Sequence, residues 1–213
     1  HAHKTGVSHF CWKNDVEAIE HVQKLLGYLP SNNHENPPFE EPNDEEERMN
    51  PDFHDVVPDD TRKPYDVRKV VDLCVDKDSF FEVHEHWAKN VVVGFARLGG
   101  HVVGVIANQP LFQAGVLDID ASRKASRFIR TCNGFHIPII SMVDVPGFLP
   151  GRQQEHQGVI DHGAKLLYAY CEATVPKLSV ILRKAYGGAY IVMSSKHVGG
   201  DINLAWPSAE IAV

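Results

Sequence analysis

With 213 residues, 43% of them hydrophobic and 23% charged, the chain has the make-up of a globular protein with one sizeable core or two small ones. The net charge is -7, no Lys/Arg block carries interleaved aromatics, and no apolar run reaches the ~18 to 20 residues of a membrane span, which excludes nucleic acid and the bilayer as partners. Four cysteines, at 11, 74, 132 and 171, form neither a CxxC pair nor a metal-ligand spacing and read as reduced thiols of an intracellular protein.

In chain order, the stretch from Asn14 to Pro30 predicts a helix with Asn14 or Asp15 as its N-cap and Val16, Ile19, Val22, Leu25 and Leu26 on one face. It reads as the closing helix of an earlier domain. The two ends, which begin without Met and stop on an apolar stretch, read as those of an excerpt. From Glu35 to Asp60, eleven Asp or Glu face the single Arg48, and the Pro-rich, aperiodic composition predicts a solvated connector with a boundary near residue 61.

Beyond it, "YDVRKVVDLCVDKDSFFEV" reads as a helix, and "VVVGFARLGGHVVGVIAN" as two strands turning at Gly99-Gly100. A helix through Ala121, Ala125, Phe128 and Ile129 follows, then a buried-type strand over 137–144, a helix from Gly158 to Ala173, a strand over 177–183, a helix start at Gly187 and a short strand "INLAW". Strands rich in Val and Ile alternating with helices predict an α/β fold whose chemistry sits in loops at strand C-termini. Two such loops stand out, "DVPGFLPGRQQE", with Val145, Pro146, Gly147 and Phe148 as pocket candidates, and "KAYGGA".

A strand that turns straight into a helix leaves that helix's first N–H groups unpaired, and Gly187, Gly188 and Ala189 put almost no side chain in front of them. The turn is thus either an oxyanion hole made of backbone or a place of close helix-sheet packing. No GxxxxGK[ST], GxGxxG or GxSxG accompanies it, and Ser194, Ser195 and His197 are too close in sequence to suggest a catalytic triad. Asp144 reads either as a base or as a turn cap, and Glu155 and His156 either as acid-base groups or as a solvated helix start. The pairs His1/His3 and His84/His86 lack metal-site spacing, so no metal is expected.

The blocks "VDVPGFLPG", "RKAYGGAY" and "GVSHFCWKNDVEAIEHVQKLLGYLPSNN", with most of the sequence between them, resemble the carboxyltransferase subunits of biotin-dependent acyl-CoA carboxylases, the propionyl-CoA carboxylase β-subunit group. That resemblance implies a crotonase (ClpP/crotonase-like) fold with repeated ββα units. It also implies a partial chain: 1–30 the end of a first domain, 31–61 the acidic linker, and 62–213 a truncated second domain. The implied reaction moves a carboxyl group from carboxybiotin to the α-carbon of a short acyl-CoA, most plainly propionyl-CoA. The Gly188 and Ala189 amides, with Gly187 beside them, would hold the biotin ureido oxygen, and the second hole would belong to the first domain. Family members selective for propionyl-CoA often carry Asp where Ile191 stands, which leaves acetyl-CoA or a broad range open. The resemblance further implies biotin on a carrier protein, a biotin carboxylase partner, acyl-CoA as substrate, a homo-oligomer (a hexamer) and a cytoplasmic or, in eukaryotes, mitochondrial-matrix location. A methylmalonyl-CoA or glutaconyl-CoA decarboxylase subunit, or a non-catalytic CoA-binding or assembly module, are the alternatives.

Overall fold

The computed structural model of the chain describes residues 1–44 and 53–212. One seven-stranded sheet is built from β1 (Phe81–Val83), β2 (Val91–Leu98), β3 (His101–Asn108), β4 (Ile139–Val145), β5 (Lys177–Tyr186), β6 (Ile202–Ala205) and β7 (Glu210–Ala212). Strands β1 to β6 lie side by side in chain order, antiparallel up to β3 and parallel from β3 onward, and β7 also pairs with β5, beyond the end of β6. The helices are α1 (Asp15–Leu26), α2 (Phe53–Val56), α3 (Val67–Cys74), α4 (Ile119–Gly134), α5 (Arg152–His156), α6 (Val159–Glu172) and α7 (Gly187–Ile191).

The alternation of side chains along each strand sorts the core into two layers. Val91, Val93 and Phe95 of β2 and Ile139, Val143 and Val145 of β4 face α4 and α6, which supply Ala125, Phe128, Ile129, Leu166 and Tyr170. Val92 and Ala96 of β2 and Ile140 and Met142 of β4 face the other way, onto Val67, Val70 and Val71 of α3 and onto Val57 and Tyr65. The β2–β3 hairpin turns at Gly99 and Gly100, both at positive φ, and the Asp76 carboxylate accepts from their N–H groups at 2.8 and 2.7 Å.

One expectation is corrected. The helix expected over residues 65–83 stops at Cys74, where Val75 turns to extended backbone, and Phe81–Val83 is drawn into the sheet against β2. Helix α1 forms where expected, with Val16, Ile19, Val22 and Leu26 exposed and Leu25 packed against the core. Its N-terminal end is capped, Asn14 Oδ1 accepting from Glu17 N–H and Glu17 Oε2 from Lys13 N–H.

The expected acidic connector is described only on its flanks, since 45–52 lie outside the described residues. Its near flank is fastened to the hairpin by the buried Arg97, which donates to the carbonyls of Gly27, Pro38 and Gly100, pairs with Glu40 at 2.9 Å and lies over the Tyr28 ring. Lys124 of α4 is buried as well, its ammonium donating to the carbonyls of His84, Trp87 and Val91 at 3.0, 2.9 and 2.7 Å. Among the described residues no helix is long and apolar enough to cross a membrane.

Candidate active site

β4 and β5 are neighbouring parallel strands, so the loops that leave their C-terminal ends emerge side by side, with Val145 paired to Ala185. After Tyr186 the chain turns through Gly187 at φ 55°, a left-handed conformation that a residue with a Cβ adopts only at a cost. Helix α7 starts there and is only five residues long, so it has little macrodipole, and any anion affinity must come from the individual amides. A Cβ placed on Gly187 or Gly188 would meet nothing within 4 Å. This disposes of close helix-sheet packing as the reason for the glycines. No described residue accepts a hydrogen bond from the N–H of Gly188 or Ala189, and the Gly188 carbonyl is engaged by Val192 N–H at 3.2 Å. Gly188 is exposed, whereas Ala189 is 1% exposed and turns its methyl into the core.

The loop after β4 runs beside this turn. Val145 is buried in the core, and Pro146, Gly147 and Phe148 are half-buried. Its extended path is pinned by Leu117, whose N–H donates to Gly147 O at 3.0 Å and whose carbonyl accepts from Leu149 N–H at 2.8 Å. The Phe148 ring lies against Gly163 of α6, where a Cβ would come within 2.7 Å of it. Ile191, 37% exposed, ends α7, and the Tyr186 hydroxyl donates to the Glu210 carboxylate across β5 and β7.

Other residues singled out in the sequence take other places or other roles. Asp144 is neither a free base nor a cap for the turn that follows: its side chain is 1% exposed and paired with Arg183 at 3.1 Å. Glu155 and His156 lie exposed on α5. Ser194 is buried without a hydrogen-bond partner among the described residues, Ser195 donates to Ile191 O, and His197 is exposed. His3 stacks on His86 and His84 on His9, and no group of three His, Cys, Asp or Glu among the described residues is placed to hold a metal ion. A cavity of about 680 Å³ lies elsewhere, lined by Phe10, Trp12, Leu25, Phe95, Phe128 and Arg127 among others. Sequence reading passed over Arg183, although a charged residue inside "KLSVILR", a strand of buried type, was a signal that something must pair with it.

Comparison with known proteins gives a consistent result. The family model described as the carboxyl transferase domain matches residues 1–213. Over all 213 residues the chain is 59% identical to the propionyl-CoA carboxylase carboxyltransferase subunit of Haloferax mediterranei and covers 41% of that protein. It is 51% identical to the mitochondrial propionyl-CoA carboxylase beta chain of Sus scrofa, again over the whole chain and 40% of the relative. A crystal structure of transcarboxylase 12S, a hexamer with hydrolyzed methylmalonyl-coenzyme A bound, superposes with a TM-score of 0.97 at 50% identity, covering the whole of this chain and 41% of that one. The chain thus spans about two fifths of the length of the relatives it matches.

Proposed function

The chain belongs to the carboxyl transferase domain family, and from that premise we propose that it is part of the carboxyltransferase subunit of a biotin-dependent acyl-CoA carboxylase. The reaction is transfer of a carboxyl group from carboxybiotin to the α-carbon of a short acyl-CoA, with propionyl-CoA giving methylmalonyl-CoA. The relatives named propionyl-CoA carboxylase support the class, and the crotonase-like fold shared with the transcarboxylase supports the scaffold.

The observation that carries the reading is the pair of adjacent amides, Gly188 and Ala189, with no acceptor among the described residues and with open space where side chains at Gly187 and Gly188 would stand. The residues present fit the group: a turn that leaves open space where two Cβ atoms would stand has room for the edge of a planar ring. Biotin, when bound, supplies the carboxyl group and the ring nitrogen that takes up the proton lost by the acyl-CoA. The Gly188 and Ala189 N–H groups would donate to its ureido oxygen, with Gly187 setting their direction. No nucleophilic side chain is then required, which answers why none stands beside the glycines. Pro146, Gly147 and Phe148 wall the adjoining side, and Ile191 sets preference at the acyl end.

This reading assigns 1–30 to the end of a first domain, 31–61 to a linker and 62–213 to a second domain, with the hole for the thioester oxygen in the first. The partners are a biotin carboxylase, a biotin carrier protein and further copies of the subunit in a hexamer, located in the cytoplasm or the mitochondrial matrix. The test is bicarbonate fixation by the full-length subunit with its biotin carboxylase and carrier, on acetyl-, propionyl- and butyryl-CoA. Propionyl-CoA should give the highest turnover, and Gly188→Val should lower it by about 100-fold or more while the oligomer stays intact. Wild-type turnover by Gly188→Val would remove the turn from the mechanism.

A further inference from the structure

The glycine turn does not orient itself. Just before it, the ladder between β4 and β5 shifts: Val143 pairs with Ile181 and Val145 with Ala185, so β5 advances four residues while β4 advances two. β5 therefore bulges over Leu182, Arg183 and Lys184. Asp144, the β4 residue between the two registers, fills the gap. Its Oδ1 accepts from Lys184 N–H at 3.1 Å and its Oδ2 from Arg183 Nε at 3.1 Å, and its own N–H donates to Asn108 Oδ1. Arg183 also reaches the end of the acidic stretch and just past it, with Nη1 donating to Asp60 O at 3.1 Å and Lys63 O at 2.9 Å, and its guanidinium lies 5.0 Å from the centre of the Tyr65 ring. Both side chains are sealed from solvent, at 2% and 1% exposure.

A buried ion pair is a poor way to gain stability, because desolvating two charges offsets most of their attraction and a well-packed apolar pair does as well or better. What the pair supplies, and an apolar pair does not, is direction. A guanidinium fork and a carboxylate have fixed geometry and fix the path of the backbone they bind. The path fixed here is that of the last residues of β5 before Gly187.

We propose that Asp144 and Arg183 are positioning residues: together they set the β5 bulge, and with it the direction in which the turn presents the Gly188 and Ala189 amides. The proposal rests on the reading of that turn as an oxyanion hole. Displacing hole donors by about 1 Å is worth on the order of 100-fold in rate. In that reading the hole for the thioester oxygen belongs to the first domain, so the KM for acyl-CoA should change far less than kcat.

The experiment uses the full-length subunit assembled with its biotin carboxylase and carrier. Asp144→Asn and Arg183→Lys should each lower kcat about 10- to 100-fold, leave the KM for acyl-CoA within about twofold, and retain the oligomer. The double variant should cost little more than either single one. A purely structural role predicts instead a lower melting temperature with wild-type kcat per folded subunit, which would overturn the proposal. Gly188→Val run alongside separates the two ideas. If it is active, the hole reading fails; if it is inactive while the pair variants turn over normally, only the positioning role fails. Should the pair variants not assemble, Tyr65→Leu keeps both charges and removes the ring beneath the guanidinium. A several-fold lower kcat at unchanged KM then supports the proposal, and wild-type kcat overturns it.

Discussion

His84 is held by contacts most of which favour its neutral form, the hydrogen bond to the Gly6 carbonyl being the exception. The ring is buried against His9 and Trp87, its Nε2 meets the Gly6 carbonyl at 3.1 Å, and the cations Lys124 and Arg127 lie near. Burial, and then the charge of His9, push its pKa from 6.5 down to about 4. The unfolded chain therefore takes up a proton at a pH where the folded chain does not, and stability falls as pH drops from about 6.5 to about 4. His9, beside Arg127 and only partly shielded from solvent, is lowered too, by that shielding and then by the Arg127 charge, and acts in the same direction. Denaturant melts at pH 7, 6 and 5 should show the decline, and His84→Gln should flatten it. A melt that does not change over that range would contradict the burial of this ring.

At the scale of elements, β3 and α4 approach so closely that only glycine fits between them. A Cβ on Gly104 would lie 2.5 Å from the Cys132 sulfur and 3.2 Å from the Phe128 ring. Gly104→Ala should cost about 1 to 3 kcal/mol, measured by urea unfolding, because the buried thiol and ring have no room to withdraw. An unchanged midpoint would show that the layer yields. Contacts of this kind are invisible in a one-dimensional pattern, whereas the elements themselves were mostly legible. The hairpin at Gly99-Gly100, the α4 face and the two parallel crossovers follow from period and turn chemistry that depend on near neighbours. The failure is of another sort. Residues 75–83 carry helix-compatible residues, but Phe81–Val83 is claimed by β2 and the Asp76 carboxylate by the hairpin turn. The site divided in the same way. A glycine pair at the end of an apolar strand can be read directly, but the pairing of Asp144 with Arg183 spans 39 positions of sequence and depends on a register shift that no local rule foretells.

Across the whole molecule, three of the four buried cations among the described residues do the same job in three places. Arg97 binds carbonyls of the 27–38 region to the hairpin, Arg183 binds those of the 60–63 region beneath the glycine turn, and Lys124 gathers those of the 84–91 loop onto α4. Each loses its hydration shell, which only charge-assisted bonds to several oxygens offset. Hydrophobic pattern counts such residues as surface, so this layer of organisation is the one least readable from composition.

Lys124 also makes the fold its own reporter. An amine shut inside a ring of carbonyls has no path to a reagent in the surrounding water, so brief succinylation of the native chain should mark the exposed Lys4 and Lys165 and leave Lys124 untouched. Peptide mapping along a denaturant series should find it modified only when α4 lifts away, and modification at the pace of the exposed pair would mean that the enclosure does not exist.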